Sequence, residues 1–289
     1  MAEPFPICYL DGEYLPLREA RISPLDRAFL YGDGVYEVLP VYGGRPFRFH
    51  PHFDRLDRSL AAIGMAPVHG RARWTEICLE LARRNGGGDM YLYVQVSRGA
   101  EYGRNHAPPP GLKPTVFAFA SALPQLTENL EKGAPAVTAE DTRWTRCSIK
   151  STSLLANVLL KQLAVESGAH ETIMLRNGLL TEGTSSTVHV VIGGEIRTPP
   201  RSTQLLPGTT QDLVSELAGQ AGIPTRFVAV TEAQLRNADE IFIGAATIGP
   251  MAVTRLDGKS VGTGVPGPVW QRIRAQFEAY KQAVAGTPP

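Results

Sequence analysis

The stretch TRCSIKSTSLLANVLL (Thr145–Leu160) passes from a short β segment, through Lys150 at its end, into an apolar helix predicted over Ser153–Ser167. No carboxylate stands near Lys150 in sequence to neutralise it. Strand giving way to helix is the building step of mixed folds, and the open end of a strand is where many of them place reactive side chains. Strand and helix patterns continue on both sides, so the fold class expected is α+β.

Upstream, ICYLDGEYL (Ile7–Leu15) reads as two strands joined by Asp11-Gly12, a dipeptide that tolerates the positive φ of a tight hairpin. A second hairpin, GVYEVLPVYGGRPFRF (Gly34–Phe49), turns at Gly43-Gly44. Its alternation puts Tyr36, Val38, Pro40 and Tyr42 on one face and Val35, Glu37, Leu39 and Val41 on the other. Phe53, Leu56, Leu60 and Ile63 then recur at helical spacing from about Pro51 until Gly64, and Trp74, Ile77 and Leu81 repeat the pattern up to Gly86. MYLYVQVSRG (Met90–Gly99) and TVFAFASAL (Thr115–Leu123) read as β segments.

These elements predict a smaller N-terminal α/β domain over residues 1–121. Residues 122–134 are polar, carry Pro and Gly and show no clean period, which predicts a linker. Residues 135–289, with Lys150, form the expected second domain. It is rich in hairpins, with turns at Asn177-Gly178, Gly193-Gly194 and Asp257-Gly258, and has further helices over Thr210–Ala221 and Pro268–Ala283. The closing GTPP is expected to be disordered.

Charge is nearly balanced at +1, so no electrostatic field recommends nucleic acid or a membrane surface as partner, and a small-molecule substrate is the default. Cys8, Cys78 and Cys147 lie far apart without metal or redox spacing. No apolar run approaches the roughly 18 residues of a membrane span, and the start lacks the pattern of a signal peptide, so a cytoplasmic location is expected.

The lysines are Lys113, Lys132, Lys150, Lys161, Lys259 and Lys281. A lysine that forms a Schiff base must spend part of its cycle as a neutral amine, which favours a desolvated place near another cation. Lys132 follows Glu131 in the linker, Lys259 sits in a hairpin turn and Lys281 is near the tail. Lys113 abuts Pro114, and Lys161 shares a helix with Glu166. All five read as solvated, leaving Lys150, although its local sequence would equally suit a surface charge before a helix.

Five strings occur in order: YGDGVYEV (Tyr31–Val38), HFDRL (His52–Leu56), RCSIKS (Arg146–Ser151), RNGLLTEGTSS (Arg176–Ser186) and LLPGTTQD (Leu205–Asp212). Together they resemble the fold-type IV aminotransferases, which include D-amino-acid transaminases, branched-chain aminotransferases and aminodeoxychorismate lyases. The resemblance runs over almost the whole chain. It implies a two-domain enzyme with a larger C-terminal pseudo-barrel domain, pyridoxal 5'-phosphate as cofactor, and a homodimer. It also implies that Lys150 is the Schiff-base lysine and that Glu182 holds the pyridine nitrogen. By itself, Glu182 would read as a solvated hairpin glutamate.

Gly208, Thr209 and Thr210 at a helix start offer backbone N–H groups, the positive end of the dipole and two hydroxyls to the cofactor phosphate. Arg55 would add its charge, though Asp54 and Asp57 leave a surface ion pair open. Ser185, Leu206 and Thr247 complete the implied cofactor contacts. In IFIGAATIGP (Ile241–Pro250), Ala245 and Ala246 stand where many relatives carry phosphate-binding hydroxyls, and Thr187 stands where asparagine is common.

In SRGAEYGRNHAPPP (Ser97–Pro110), an extended backbone would turn Arg104 and His106 to one side, where both can donate to one carboxylate. With Tyr36, that pattern resembles the α-carboxylate clamp of D-amino-acid transaminases. A mobile proline-flanked loop with two solvated bases is the alternative. The expected activity is transfer of an amino group from D-alanine or D-glutamate to pyruvate or 2-oxoglutarate, with ping-pong kinetics. Branched-chain L-amino-acid or (R)-amine transfer, or the lyase reaction, remains open. Asp33 is expected to cap the Gly-rich turn and Glu37 to make structural hydrogen bonds, and His50 and His52 are read as structural rather than metal ligands.

Overall fold

The computed structural model describes residues 3–286. The chain divides into two compact units. The first holds the residues up to Pro124, the segment Ile149–Leu154 and the residues from Lys281 onward; the second holds Gln125–Ser148 and Leu155–Tyr280.

The first unit contains β1 (Pro4–Leu10), β2 (Glu13–Pro16), α1 (Arg27–Tyr31), β3 (Gly34–Tyr42), β4 (Arg45–Pro46), α2 (Phe49–Ala62), α3 (Arg71–Arg84), β5 (Met90–Ser97) and β6 (Thr115–Ser121). Its strands form an antiparallel sheet in the order β2-β1-β6-β5-β3-β4. Phe53, Leu56 and Leu60 of α2 and Trp74, Ile77 and Leu81 of α3 are fully buried against Val35, Leu39, Val41, Leu92 and Val94. Each such side chain contributes about 1.5–3 kcal/mol by leaving water. The predicted alternation along β3 holds: Val35, Leu39 and Val41 enter this core, and Glu37 shares their face.

The second unit contains α4 (Thr127–Lys132), β7 (Ala134–Glu140), α5 (Leu155–Glu166), β8 (Glu171–Arg176), β9 (Leu179–Gly183), β10 (Thr187–Ile192), β11 (Glu195–Thr198), α6 (Thr209–Gln220), β12 (Thr225–Phe227), α7 (Glu232–Arg236), β13 (Glu240–Ala245), β14 (Gly249–Leu256) and β15 (Lys259–Ser260), and it takes in most of α8 (Pro268–Gly286). Its mixed sheet runs β12-β11-β10-β13-β14-β7-β8-β9, with β15 on β14. Alternate residues of its strands enter two cores. Val188, Val190, Ile241 and Ile243 join one, whereas Val191 and Phe242 join another with Val214 and Ala218 of α6 and Trp270 and Ile273 of α8.

Several expectations are corrected. The stretch 122–134 is not an open linker: α4 forms within it, and Leu130 packs on the second unit's core. No regular strand leads into Lys150, since β7 ends at Glu140. Lys150 also sits in the first unit rather than the second. Ile149 is buried in the first unit's core, the Tyr36 amide donates to the Lys150 carbonyl at 2.9 Å, and Ser151 bridges to Val35. Of the closing GTPP, Gly286 ends α8, and the remaining three residues lie outside the described residues.

Candidate active site

In the first unit, Lys150 is half-buried on the segment that pairs with β3. Its amide donates to Ser59 Oγ of α2 at 3.1 Å, fixing the backbone from a second side. The Nζ lies 4.0 Å from the centre of the Tyr36 ring, and among the described residues no hydrogen bond or ion pair engages it. Tyr36 is itself stacked on Tyr93, with ring centres 5.5 Å apart. A primary amine held over an aromatic face without a carboxylate partner is free to act as a nucleophile or to carry a proton.

Beneath it, on the buried face of β3, Glu37 accepts from Arg55 Nε at 2.7 Å, Arg55 Nη2 at 2.8 Å and His52 Nδ1 at 2.8 Å. Burial by itself would raise the Glu37 carboxyl, but the Arg55 guanidinium and the His52 hydrogen bond outweigh it and bring it down to about 2. Burial depresses His52, which favours the neutral ring donating from Nδ1. Arg55 is thus buried on Glu37, while Asp54 and Asp57 pair with Arg71.

Arg104 and His106 belong to the exposed connection between β5 and β6. The Arg104 Cζ lies 5.2 Å from the centre of the Tyr31 ring, and the His106 ring lies 5.5 Å from it. The two expected clamp residues therefore come together, but on Tyr31, whereas Tyr36 pairs with Lys150 and Tyr93. Asp33 does not cap the turn; it accepts from Arg27 at 2.8 Å and from Arg98 at 2.8 and 3.0 Å. The cap of α1 is Asp26, which accepts from the Ala28 amide.

In the second unit, Glu182 is buried on β9. It accepts from Arg143 Nη1 and from the Leu206 amide at 3.2 Å. Arg143 also engages Asp141, which accepts from Thr181. Burial pushes the Glu182 carboxyl up from its ordinary value, and Arg143 offsets this only in part. Such a group favours a further cationic hydrogen-bond donor, because that donor would compensate the charge that burial penalises.

The turn after Glu182 is organised by Glu171, a buried carboxylate that accepts from Ser186 Oγ at 2.8 Å and from the Thr184 hydroxyl. Ser185 is exposed and reaches Glu171 at 3.5 Å.

Gly208 begins α6 without a side-chain cap, and Thr209 and Thr210 behind it are buried. A Cβ on Gly208 would stand 2.6 Å from Thr187 Oγ1, so the helix start and Thr187 fit only because the residue is glycine. Ala245 closes β13, and Ala246 and Thr247 form the half-buried turn into β14.

Sequence reasoning missed Arg143, Asp141, Glu171, Ser59 and Arg27, each of which meets at least one partner more than ten residues away. Among the described residues, no group of three His, Cys, Asp or Glu side chains is placed to hold a metal ion, and no helix is long and apolar enough to cross a membrane.

Residues 34–256 match the family model of amino-transferase class IV. The chain is 38% identical over 268 residues to a D-alanine aminotransferase of Bacillus licheniformis, covering 93% of this chain and 94% of that one. It is 36% identical over 276 residues to a D-alanine aminotransferase of Staphylococcus epidermidis, covering 95% and 98%. Among solved structures, the branched-chain amino acid aminotransferase of Escherichia coli superposes with a TM-score of 0.90 at 27% identity, over 95% of this chain and 94% of that chain. A branched-chain amino acid aminotransferase of T.th., with pyridoxamine 5'-phosphate, also gives 0.90 at 28% identity, over 100% and 97%. A match that runs through both sheets, together with relatives of more than 30% identity over nearly the whole length, makes this chain a member of the class IV aminotransferases.

Proposed function

We propose that the protein is a pyridoxal-phosphate-dependent transaminase that moves the amino group of a D-amino acid, of the D-alanine or D-glutamate type, to pyruvate or 2-oxoglutarate. The observation that carries the reading is the Lys150 amine, unpaired among the described residues and held over Tyr36. The D-alanine aminotransferases at 38% and 36% identity support the choice of donor.

Each unit, taken by itself, carries groups of the kind the cofactor needs. Lys150 supplies a free amine, Glu182 a buried carboxylate that favours a cation, and Gly208 a helix start that a Cβ would obstruct. Bound pyridoxal phosphate supplies an electron sink for the charge left on the substrate α-carbon when its proton departs.

Lys150 would hold the cofactor and, once freed by the incoming amino group, move the α-carbon proton on its Nζ. Glu182 would keep the ring nitrogen protonated, with Arg143 and the Leu206 amide fixing its carboxylate. Arg55, Thr209 and Thr210 are assigned to the phosphate, with Ser185, Leu206 and Thr247 around the cofactor. Arg104 and His106, with Tyr36, would bind the substrate carboxylate. The 2-oxo acid made from the donor would leave before the acceptor 2-oxo acid binds, so ping-pong kinetics are expected, with parallel lines in a double-reciprocal plot.

The second reading is transfer from branched-chain L-amino acids, favoured by the solved branched-chain enzymes at a TM-score of 0.90. The visible absorption of the cofactor-loaded protein separates the two readings. Bleaching by D-alanine and not by L-leucine supports the D-specific reading, and the reverse overturns it while keeping Lys150. Lys150→Ala should abolish turnover, and normal turnover in that variant would sink the assignment.

We further place the enzyme in the cytoplasm as a homodimer. On α5, Leu155, Val158, Leu159 and Leu163 are exposed at helical spacing, an apolar stripe that a second copy would cover. A monomeric mass by analytical ultracentrifugation would contradict this.

A further inference from the structure

We propose that Arg27 is the positioning residue of the substrate-carboxylate clamp, holding Arg104 and His106 in register from beneath their loop. The inference rests on the reading of Arg104 and His106 as that clamp.

The connection from Arg98 to Pro114 is mostly exposed around the two residues, with Tyr102 wholly in solvent. A loop of this kind loses about 1–2 kcal/mol of backbone entropy per residue when it is fixed, so a clamp on it has to be anchored by specific bonds. Arg27 is 3% exposed and supplies them. Its Nη1 donates to the Asn105 carbonyl at 2.6 Å and its Nη2 to the His106 carbonyl at 2.9 Å. One guanidinium therefore grips the residue between the two clamp side chains and the backbone of the second. Nη1 also pairs with Glu101 at the start of the loop.

The anchor is itself held. Nε donates to Asp33 at 2.8 Å, and Asp33 is bound on its other side by Arg98. The Arg27 amide donates to the Gly99 carbonyl, while its neighbour Asp26 accepts from Ser97 and Thr115 at the two ends of the connection. Arg27 Cζ also lies 4.6 Å from the centre of the Tyr31 ring, the ring on which Arg104 and His106 gather. A lysine cannot reproduce this, because a single ammonium lacks the planar fork that reaches two successive carbonyls and two carboxylates at once.

The test is a double-mutant cycle on the holoenzyme with D-alanine as donor. Arg104→Ala should raise the KM for D-alanine. Arg27→Lys should raise it about tenfold while kcat changes less than about threefold, because a displaced clamp loses ground-state and transition-state binding together. Arg27→Lys combined with Arg104→Ala should raise KM by less than the product of the two single effects, since Arg27 acts partly through Arg104 and partly through His106. Glu101→Gln leaves the arginine in place and loosens its grip, so a smaller KM rise of the same kind is expected even if Arg27→Lys folds poorly. A normal KM in both Arg27→Lys and Glu101→Gln, or additive effects in the double variant, would overturn the positioning role while leaving the clamp intact. An unchanged KM in Arg104→Ala, or no turnover of D-alanine by the unaltered enzyme, would overturn the clamp reading and this inference with it.

Discussion

Replacing Glu37 by glutamine should destabilise the protein by an amount that depends on pH in a calculable way. The carboxyl has an ordinary value of 4.5 and is brought to about 2 in the folded chain by Arg55 and His52, against the opposing effect of burial. A shift of that size is worth about 3 kcal/mol. Because the folded value is the lower one, the stabilisation is fully present above pH 4.5. It falls to about 1 kcal/mol at pH 3 and vanishes once pH drops through about 2. Glutamine keeps the shape but removes the negative charge that faces the buried Arg55 guanidinium, and breaking a buried pair in this way typically costs about 3–5 kcal/mol at neutral pH.

The assay is urea unfolding of cofactor-stripped protein, followed by tryptophan fluorescence, at intervals from pH 3 to pH 8. The quantity that matters is the difference between the unaltered chain and Glu37→Gln, which cancels the titration of groups that do not touch Glu37. It should be flat from pH 8 to about pH 5 and shrink by about 2 kcal/mol toward pH 3. A difference that stays constant over the whole range would refute the argument that an ionised Glu37 stabilises the unit.

Three further outcomes are expected. Glu182→Gln should lower turnover more than about tenfold while leaving the melting temperature nearly unchanged, since Arg143 keeps Asp141 and the costly buried charge is removed; a large fall in melting temperature would make the residue structural instead. Gly208→Ala should drive a methyl group into Thr187 Oγ1 and weaken cofactor retention about tenfold, read by equilibrium dialysis, with unaltered retention removing this helix start from the cofactor site. Cys8, Cys78 and Cys147 are buried, and burial raises all three thiols, so a chromogenic disulfide reagent at pH 8 should titrate none in the folded protein and all three in urea.

The sequence by itself determined the local geometry. Asp11-Gly12, Gly43-Gly44, Asn177-Gly178, Gly193-Gly194 and Asp257-Gly258 all adopt the paired positive φ angles expected of hairpin turns. Gly64 ends α2 in the left-handed conformation, and the apolar spacing of Phe53, Leu56 and Leu60 does face the core. These features need only neighbouring residues and the steric limits of the backbone, so they are written in short strings. Lys150 could be singled out as a candidate for a related reason: lysines are scarce, and the charges around each are visible within a few residues, although only the resemblance set it apart from a surface charge.

What only the tertiary structure decided is where charges meet across long separations. Glu37 was expected to make structural hydrogen bonds, but its partners were unknown until α2 brought Arg55 and His52 to it, and Asp33 read as a turn cap until Arg27 and Arg98 reached it. The Lys150 segment, which follows residues of the second unit in sequence, pairs with β3 of the first because Ile149 is buried there and the Tyr36 amide needs an acceptor. Burial changes the energy of a charged group more than any neighbour in sequence does, and burial is a property of the packed chain.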